Sequence, residues 1–256
     1  MTDPVPSSVS LLKQATGRYY GQGSLGVGAN IGKVPAGTLV VAAFLASDAE
    51  AARGCSLGEP LVSAGGGSYV VGMPYAGQGS RSDPTHTGFY LGYFFVPALY
   101  AEDATLTVSA FHSAVGGWNM ITDVQCAAYR GADPAGTVVG GVVEPGGYST
   151  PAVQAAGPGI AIHVCQTSQY GQLQALETLP GGPFGTLEED DSPGALVQLS
   201  AGSYVEDQLA GPTTPRRFTV SPWANWGAPG SGFANIRSAV LAIPYLRGDS
   251  TGELVT

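Results

Sequence analysis

The sequence predicts an all-β fold, an antiparallel sandwich or barrel with long surface loops and very little helix. Three observations predict it. Strand-sized apolar or alternating runs recur along the chain, each bounded by Gly, Pro, Asp or Ser. Hydrophobic residues make up 44% of the 256 positions and charged residues only 11%, which supplies a core but few charges for the wet faces of helices. The 39 glycines and 19 prolines follow no three-residue period, so they punctuate strands rather than build a collagen-like or low-complexity chain.

Taken in order, residues 1 to about 16 read as an N-terminal arm, 17–246 as one β-sandwich domain and 247–256 as a C-terminal tail. A weak strand signal at 17–20 precedes a strong one at 38–46, whose apolar stretch is strand-sized and far short of a membrane span. Residues 47–53 form the one persuasive helix, about two turns, with Ser47 as N-cap and Gly54 as stop. The Gly-dense segment 63–84 reads as a surface loop holding a weak strand at 68–72. Strands follow at 87–96, 104–111, 120–129, 137–143 and 159–166. The stretch 181–193, with Glu188-Glu189-Asp190-Asp191, reads as a solvated loop. Strands at 195–199, 216–221 and 235–243 complete the domain. Alternation is clearest at Thr105-Leu106-Thr107-Val108-Ser109, where apolar and hydroxyl side chains take opposite faces. By contrast, Leu91-Gly92-Tyr93-Phe94-Phe95-Val96 is apolar on both faces, so loops, a second sheet or another subunit must cover its second face. No internal repeat is evident.

Charge and cysteine usage narrow the function classes. Nineteen acidic against ten basic side chains give a formal charge of −9, and Lys13 and Lys33 are the only lysines. Binding to a phosphate backbone rests on clustered Lys and Arg, so no nucleic-acid partner is expected. The pair Arg216-Arg217 reads as a solvated strand end. No signal peptide or membrane-inserting segment is evident. Cys55, Cys126 and Cys165 are odd in number and widely spaced, which suits reduced thiols in a protein made in the cytoplasm rather than a disulfide framework.

Four apparent motifs fail on context. Gly21-Gln22-Gly23-Ser24-Leu25-Gly26 fits the dinucleotide-site spacing, but the helix N-terminus that would receive a pyrophosphate is missing from the poor helix sequence that follows. Gly54-Cys55-Ser56-Leu57-Gly58 fits the nucleophile elbow, yet a helix-like segment precedes it and Gly58-Glu59-Pro60 follows, the reverse of strand–turn–helix. Of His86, His112 and His163, only His163 has a neighbour of metal-binding type: Cys165, two residues on, shares its strand face. A buried, hydrogen-bonded histidine explains it better than a metal site lacking two further ligands. The acidic run 188–191 lacks the alternating oxygen donors of a Ca²⁺ loop. Asp123, Glu144, Glu206 and Asp207 show no pairing in sequence, although a glycosidase pair would be spatial. No catalytic residue, metal or cofactor is therefore assigned.

Aromatic residues carry the positive signal. Trp118, Trp223 and Trp226 sit in turn-like contexts, where an indole can stack on a sugar, fill an interface or plug the end of the sandwich.

The segment Val34-Pro35-Ala36-Gly37-Thr38-Leu39-Val40-Val41-Ala42 is followed by the aromatic strand Gly88-Phe89-Tyr90-Leu91-Gly92-Tyr93-Phe94. After it come Ala104-Thr105-Leu106-Thr107-Val108 and Ala127-Ala128-Tyr129-Arg130-Gly131-Ala132-Asp133. This order resembles the minor tail and related virion proteins of phages infecting actinobacteria. It continues through the later strands to Ala239-Val240-Leu241-Ala242-Ile243-Pro244, covering roughly residues 30 to 245. It departs where Gly37-Thr38 replaces an aspartate before Leu39, and in lacking a tryptophan-containing segment after the first strong strand. The resemblance implies a jelly-roll-like sandwich in a virion, without chemistry of its own, whose partners are copies of itself and other virion proteins. A tail or tail-tip component, a capsid decoration protein or head fibre, and a carbohydrate-binding module that stacks host cell-wall glycan on the three tryptophans are the functions to weigh. A hydrolase on a jelly roll would require two facing carboxylates.

Overall fold

The computed structural model describes residues 8–22, 25–48, 55–57, 61–64, 69–72, 87–96, 106–114, 119–144, 149–167, 172–175, 186–189, 198–221 and 236–246. These residues are all-β, with antiparallel strands and no helix. The first half holds β1 (Ser10–Gln22), β2 (Leu25–Gly32), β3 (Leu39–Asp48), β4 (Cys55–Leu57), β5 (Leu61–Ala64), β6 (Tyr69–Gly72), β7 (Thr87–Phe95), β8 (Leu106–Ala114) and β9 (Asn119–Arg130). The second half holds β10 (Val138–Glu144), β11 (Gln154–Ala155), β12 (Gly159–Thr167), β13 (Gln172–Ala175), β14 (Thr186–Glu189), β15 (Gln198–Gln208), β16 (Gly211–Pro212), β17 (Phe218–Ser221) and β18 (Ile236–Pro244).

Pairing in the first half is nested. β1 pairs β9, β2 pairs β8, β3 pairs β7 and β5 pairs β6, as if one long hairpin had been rolled up. The result is one sheet ordered β1-β9-β3-β7 and another ordered β2-β8-β5-β6, with β4 also on β8. The second half repeats the first order: β10-β18-β12-β15, extended by β14. Its facing layer is made of short pieces, β11 with β16 and β13 with β17, linked by the bridge between Ser149 and Arg217. The chain thus repeats in topology where its sequence shows no repeat, because the rolled pairing depends on nested strand spacing and apolar faces rather than on particular residues.

The two equivalent sheets pack face to face. Leu39, Val41, Ala43, Leu91, Ala127 and Tyr129 form one core with Ile160, Ile162, Val164, Ala239, Leu241 and Ile243. The other face of the first sheet, with Val40, Ala42, Val124, Cys126 and Ala128, is buried too. β2 covers it: a Cβ on Gly17, which shares its face with Val124, would fall on the Gly28 carbonyl. Both faces of the central sheet are therefore covered within one chain. This accounts for the apolar run at 91–96, and the first sheet needs no neighbouring subunit to cover it.

Local expectations are revised at several points. β3 continues through Ser47 and Asp48, paired to Ile121 and Met120, so no helix begins at Ser47; a ladder on β9 outweighs the propensity of a two-turn segment. Residues 49–54 lie outside the described residues. The expected N-terminal arm is strand from Ser10 onward, held to β9. β5 and β6 pair within the Gly-dense stretch, and β14 occupies part of the expected acidic loop. β15 runs to Gln208, well past the strand expected at 195–199. The tail at 247–256 lies outside the described residues.

The halves are oriented alike. β9 ends at Arg130 beside the start of β1 and β3, and β18 ends at Pro244 beside the start of β12. Ala132 bridges Tyr245, and the Leu246 amide donates to the Gly131 carbonyl at 2.8 Å. The chain's first and last described residues meet at this end: a Cβ on Gly131 (φ +77°) would come within 2.7 Å of the Ser8 carbonyl oxygen.

Candidate functional site

The densest polar arrangement lies inside the second half, where its principal sheet meets the short facing strands. His163 on β12 is paired opposite Tyr204, so Glu206, two residues on along β15, shares its face. His163 Nε2 stands 3.1 Å from Glu206 Oε1, and the other carboxylate oxygen holds the Arg216 guanidinium in an ion pair. On the opposite side, His163 Nδ1 lies 2.8 Å from Thr150 Oγ1. That oxygen accepts the Arg216 amide at 2.9 Å, and the Thr150 amide donates to the Arg216 carbonyl at 2.9 Å. The imidazole and the threonine hydroxyl are both satisfied when the imidazole donates from Nε2 to the carboxylate and accepts at Nδ1 from the hydroxyl.

Hydroxyl, imidazole and carboxylate stand here in the sequence of a nucleophile, base and orienting group. Their burial gives them another role: His163 is 0% exposed and Thr150 1%, and the threonine oxygen already accepts an amide. Buried side chains bonded to one another in this way favour one arrangement of the layers around them. In the first half the position corresponding to His163 is Ala42, inside an apolar interface. The short strands facing the second sheet bury Ala155 and Phe218, and the polar tie joins the layers beside them. Next to it, Ser238 Oγ donates to the Ser149 carbonyl at 2.6 Å, and Val153 and Thr213 exchange bonds at 2.9 and 2.8 Å.

The residues singled out in the sequence fare differently. His163 and Cys165 do share a face and are both buried. Among the described residues, no group of three or more His, Cys, Asp or Glu is gathered as a metal ion would require. Arg216 is not a solvated strand end but half-buried against Glu206, whereas Arg217 is exposed. Glu206 does have a partner, invisible in sequence because the register of strands some forty residues apart decides it. Thr150 was missed for the same reason. Cys126 is a buried free thiol whose ionisation burial pushes up to about 12, against a weaker backbone hydrogen bond from Ala15. Cys55 and Ser56 of the elbow-like motif lie on β4, paired to β8, and the dinucleotide-like glycines fall on β1 and β2 and the two residues between them.

Trp118, Trp223, Trp226 and His86 lie outside the described residues, as does the side chain of His112. The strands that follow the tryptophan segments are placed: Asn119 begins β9 and Ile236 begins β18, both at the end of the sheets opposite Arg130 and Pro244. Among the described residues, no helix is long and apolar enough to cross a membrane. No family model matches the chain, and no curated protein is detectably similar to it.

Proposed function

We propose that this chain is a structural protein of a phage virion, a minor tail or tail-tip component that acts through subunit contacts and carries no chemistry of its own. The observation that carries the reading is the nested pairing β1·β9, β2·β8, β3·β7 and β5·β6, which suits a jelly roll, with its principal sheet order repeated in the second half. Jelly rolls serve capsid and lectin domains, where a stiff sandwich holds loops and edges for contact. Fold alone assigns no function; the ordered resemblance to actinobacteriophage virion proteins supplies the rest. Antibodies against the purified chain should label assembled particles by electron microscopy, at the tail tip under this reading and on the head for a decoration protein or head fibre. Particles that lack the chain by mass spectrometry overturn it.

A second reading, a module that binds host cell-wall glycan, draws support from the shared end at which the strands after Trp118 and after Trp223 and Trp226 begin. Titration with cell-wall polysaccharide should then give binding that at least one Trp→Ala substitution weakens. Binding equal in all three variants and in the wild type removes it.

A further inference from the structure

The large hydrophobic side chains exposed among the described residues are Leu209 (78%), Leu246 (50%), Leu11 (47%) and Val138 (38%). They lie far apart in sequence and at one end of the molecule. Leu11 pairs with Tyr129 beside the exit of β9, and Leu246 is bonded to Gly131. Val138 opposes Ala242 near the exit of β18, and Leu209 follows Gln208, which opposes Gly159 where β12 begins. The described chain also starts and finishes here, with Ser8 and Leu246 flanking Gly131, so any flanking segment sets out from this end.

Charge on this end divides between the halves. Exposed Lys13 and Arg130 stand on the first-half side, with Lys13 Nζ bonded to the Lys33 carbonyl and Arg130 Nε donating to Ser10 Oγ at 3.0 Å. Exposed Asp207, paired with Ile160, stands on the second-half side. Consider a second copy placed end to end about a two-fold axis that lies in the plane between the two face-packed sheets, perpendicular to the strands. The rotation lays the first half of one copy over the second half of the other. The basic side of each copy then meets the acidic side of the other, once on each side of the axis. A self-complementary patch of this kind is what an isologous interface requires.

We propose that this end of the molecule is a docking surface for a second copy of the chain. The inference rests on the subunit-contact reading above and names the partner and the surface. The test is light scattering after size exclusion, with sedimentation across a concentration series, on the full chain at low and moderate salt. A dimer is expected that weakens as salt rises. Leu209→Asp combined with Leu246→Asp should give a monomer with an unchanged melting curve. Should that pair fail to fold, Leu209→Ser, at a position already mostly in water, takes its place and should raise the dissociation constant. Arg130→Asp or Asp207→Arg alone should raise it about tenfold or more, and the two together should restore much of the loss. A wild-type chain that stays monomeric at high concentration, or a dimer indifferent to these substitutions, overturns the proposal. A monomer found in particles would overturn this docking surface and leave the virion reading in place, and a dimer absent from particles would do the reverse.

Discussion

Replacing Thr150 by valine removes one oxygen from the polar tie and changes little else, because valine has nearly the shape of threonine. Two bonds end on that oxygen: the Arg216 amide at 2.9 Å and His163 Nδ1 at 2.8 Å. With Thr150 1% exposed and His163 fully buried, water cannot take over without opening the layer. Each buried polar group left unpaired costs about 1–3 kcal/mol, so the substitution, which strands two, should destabilise by about 2–6 kcal/mol. In a chain of this size that lowers the melting temperature by roughly 5–15 °C. Thr150→Ser keeps the oxygen and loses only a methyl group, about 1 kcal/mol. Urea unfolding measures both, with the loss read from the midpoint at unchanged slope. A Thr150→Val protein within about 0.5 kcal/mol of wild type, or less perturbed than Thr150→Ser, would refute the claim that the tie holds the layers by paired polar groups.

Three further outcomes follow from the packing. Gly17→Ala sets a methyl group on the Gly28 carbonyl, and Gly159→Ala sets one on the Ile243 carbonyl; backbone cannot yield as a side-chain tip can, so each should cost more than about 3 kcal/mol in the same urea assay, while Gly37→Ala, with open space around it but φ +77°, should cost about 1–2. Cys126 should ignore a thiol reagent in the native state at pH 8 and react only on unfolding. Because burial raises its folded value from 9.0 to about 12, the stability it confers is complete below pH 9 and is lost as pH rises towards 12; buried Tyr129 and half-buried Tyr93, also raised, add in the same direction. Thermal melts from pH 7 to 11 should fall beyond pH 9, and Cys126→Ala should flatten that fall.

The strands were legible where the chain itself carries the signal. β3, β7, β9, β12 and β18 are long and apolar, and their expected bounds agree with the observed ones to within a few residues. The helix start at Ser47 was misjudged because Ser47 and Asp48 are good cap residues only if nothing pairs with them, and β9 does. Ser10 to Thr16 looked like an arm because Lys13, Gln14 and Thr16 are polar. They face water on an edge strand that is held to β9 by its backbone ladder. The polar tie was the least legible part. His163, Glu206, Thr150 and Arg216 come from four separate segments, and what unites them is register, a property of pairs of strands.

The repeated sheet order shows how a single roll can yield two different interiors. In the first half, the positions facing β2 are Val40, Ala42, Val124, Cys126 and Ala128, small enough for two sheets to approach until the Gly17 backbone meets that of Gly28. In the second half the same face of the sheet carries Ala161, His163, Cys165, Val240 and Ser238 opposite short strands. On those strands Ala155 and Phe218 are buried, so the layer closes by apolar contact and by the polar tie together. Hydrogen bonds gain little net energy against water, but once buried they are expensive to break. A few paired polar groups therefore help to fix position in this layer. The face shared by the two halves remains apolar, with Leu39, Val41, Ile162 and Leu241 in its core. Among the described residues, the end at which Ser8 and Leu246 flank Gly131 also holds the exposed Leu11, Leu209 and Leu246.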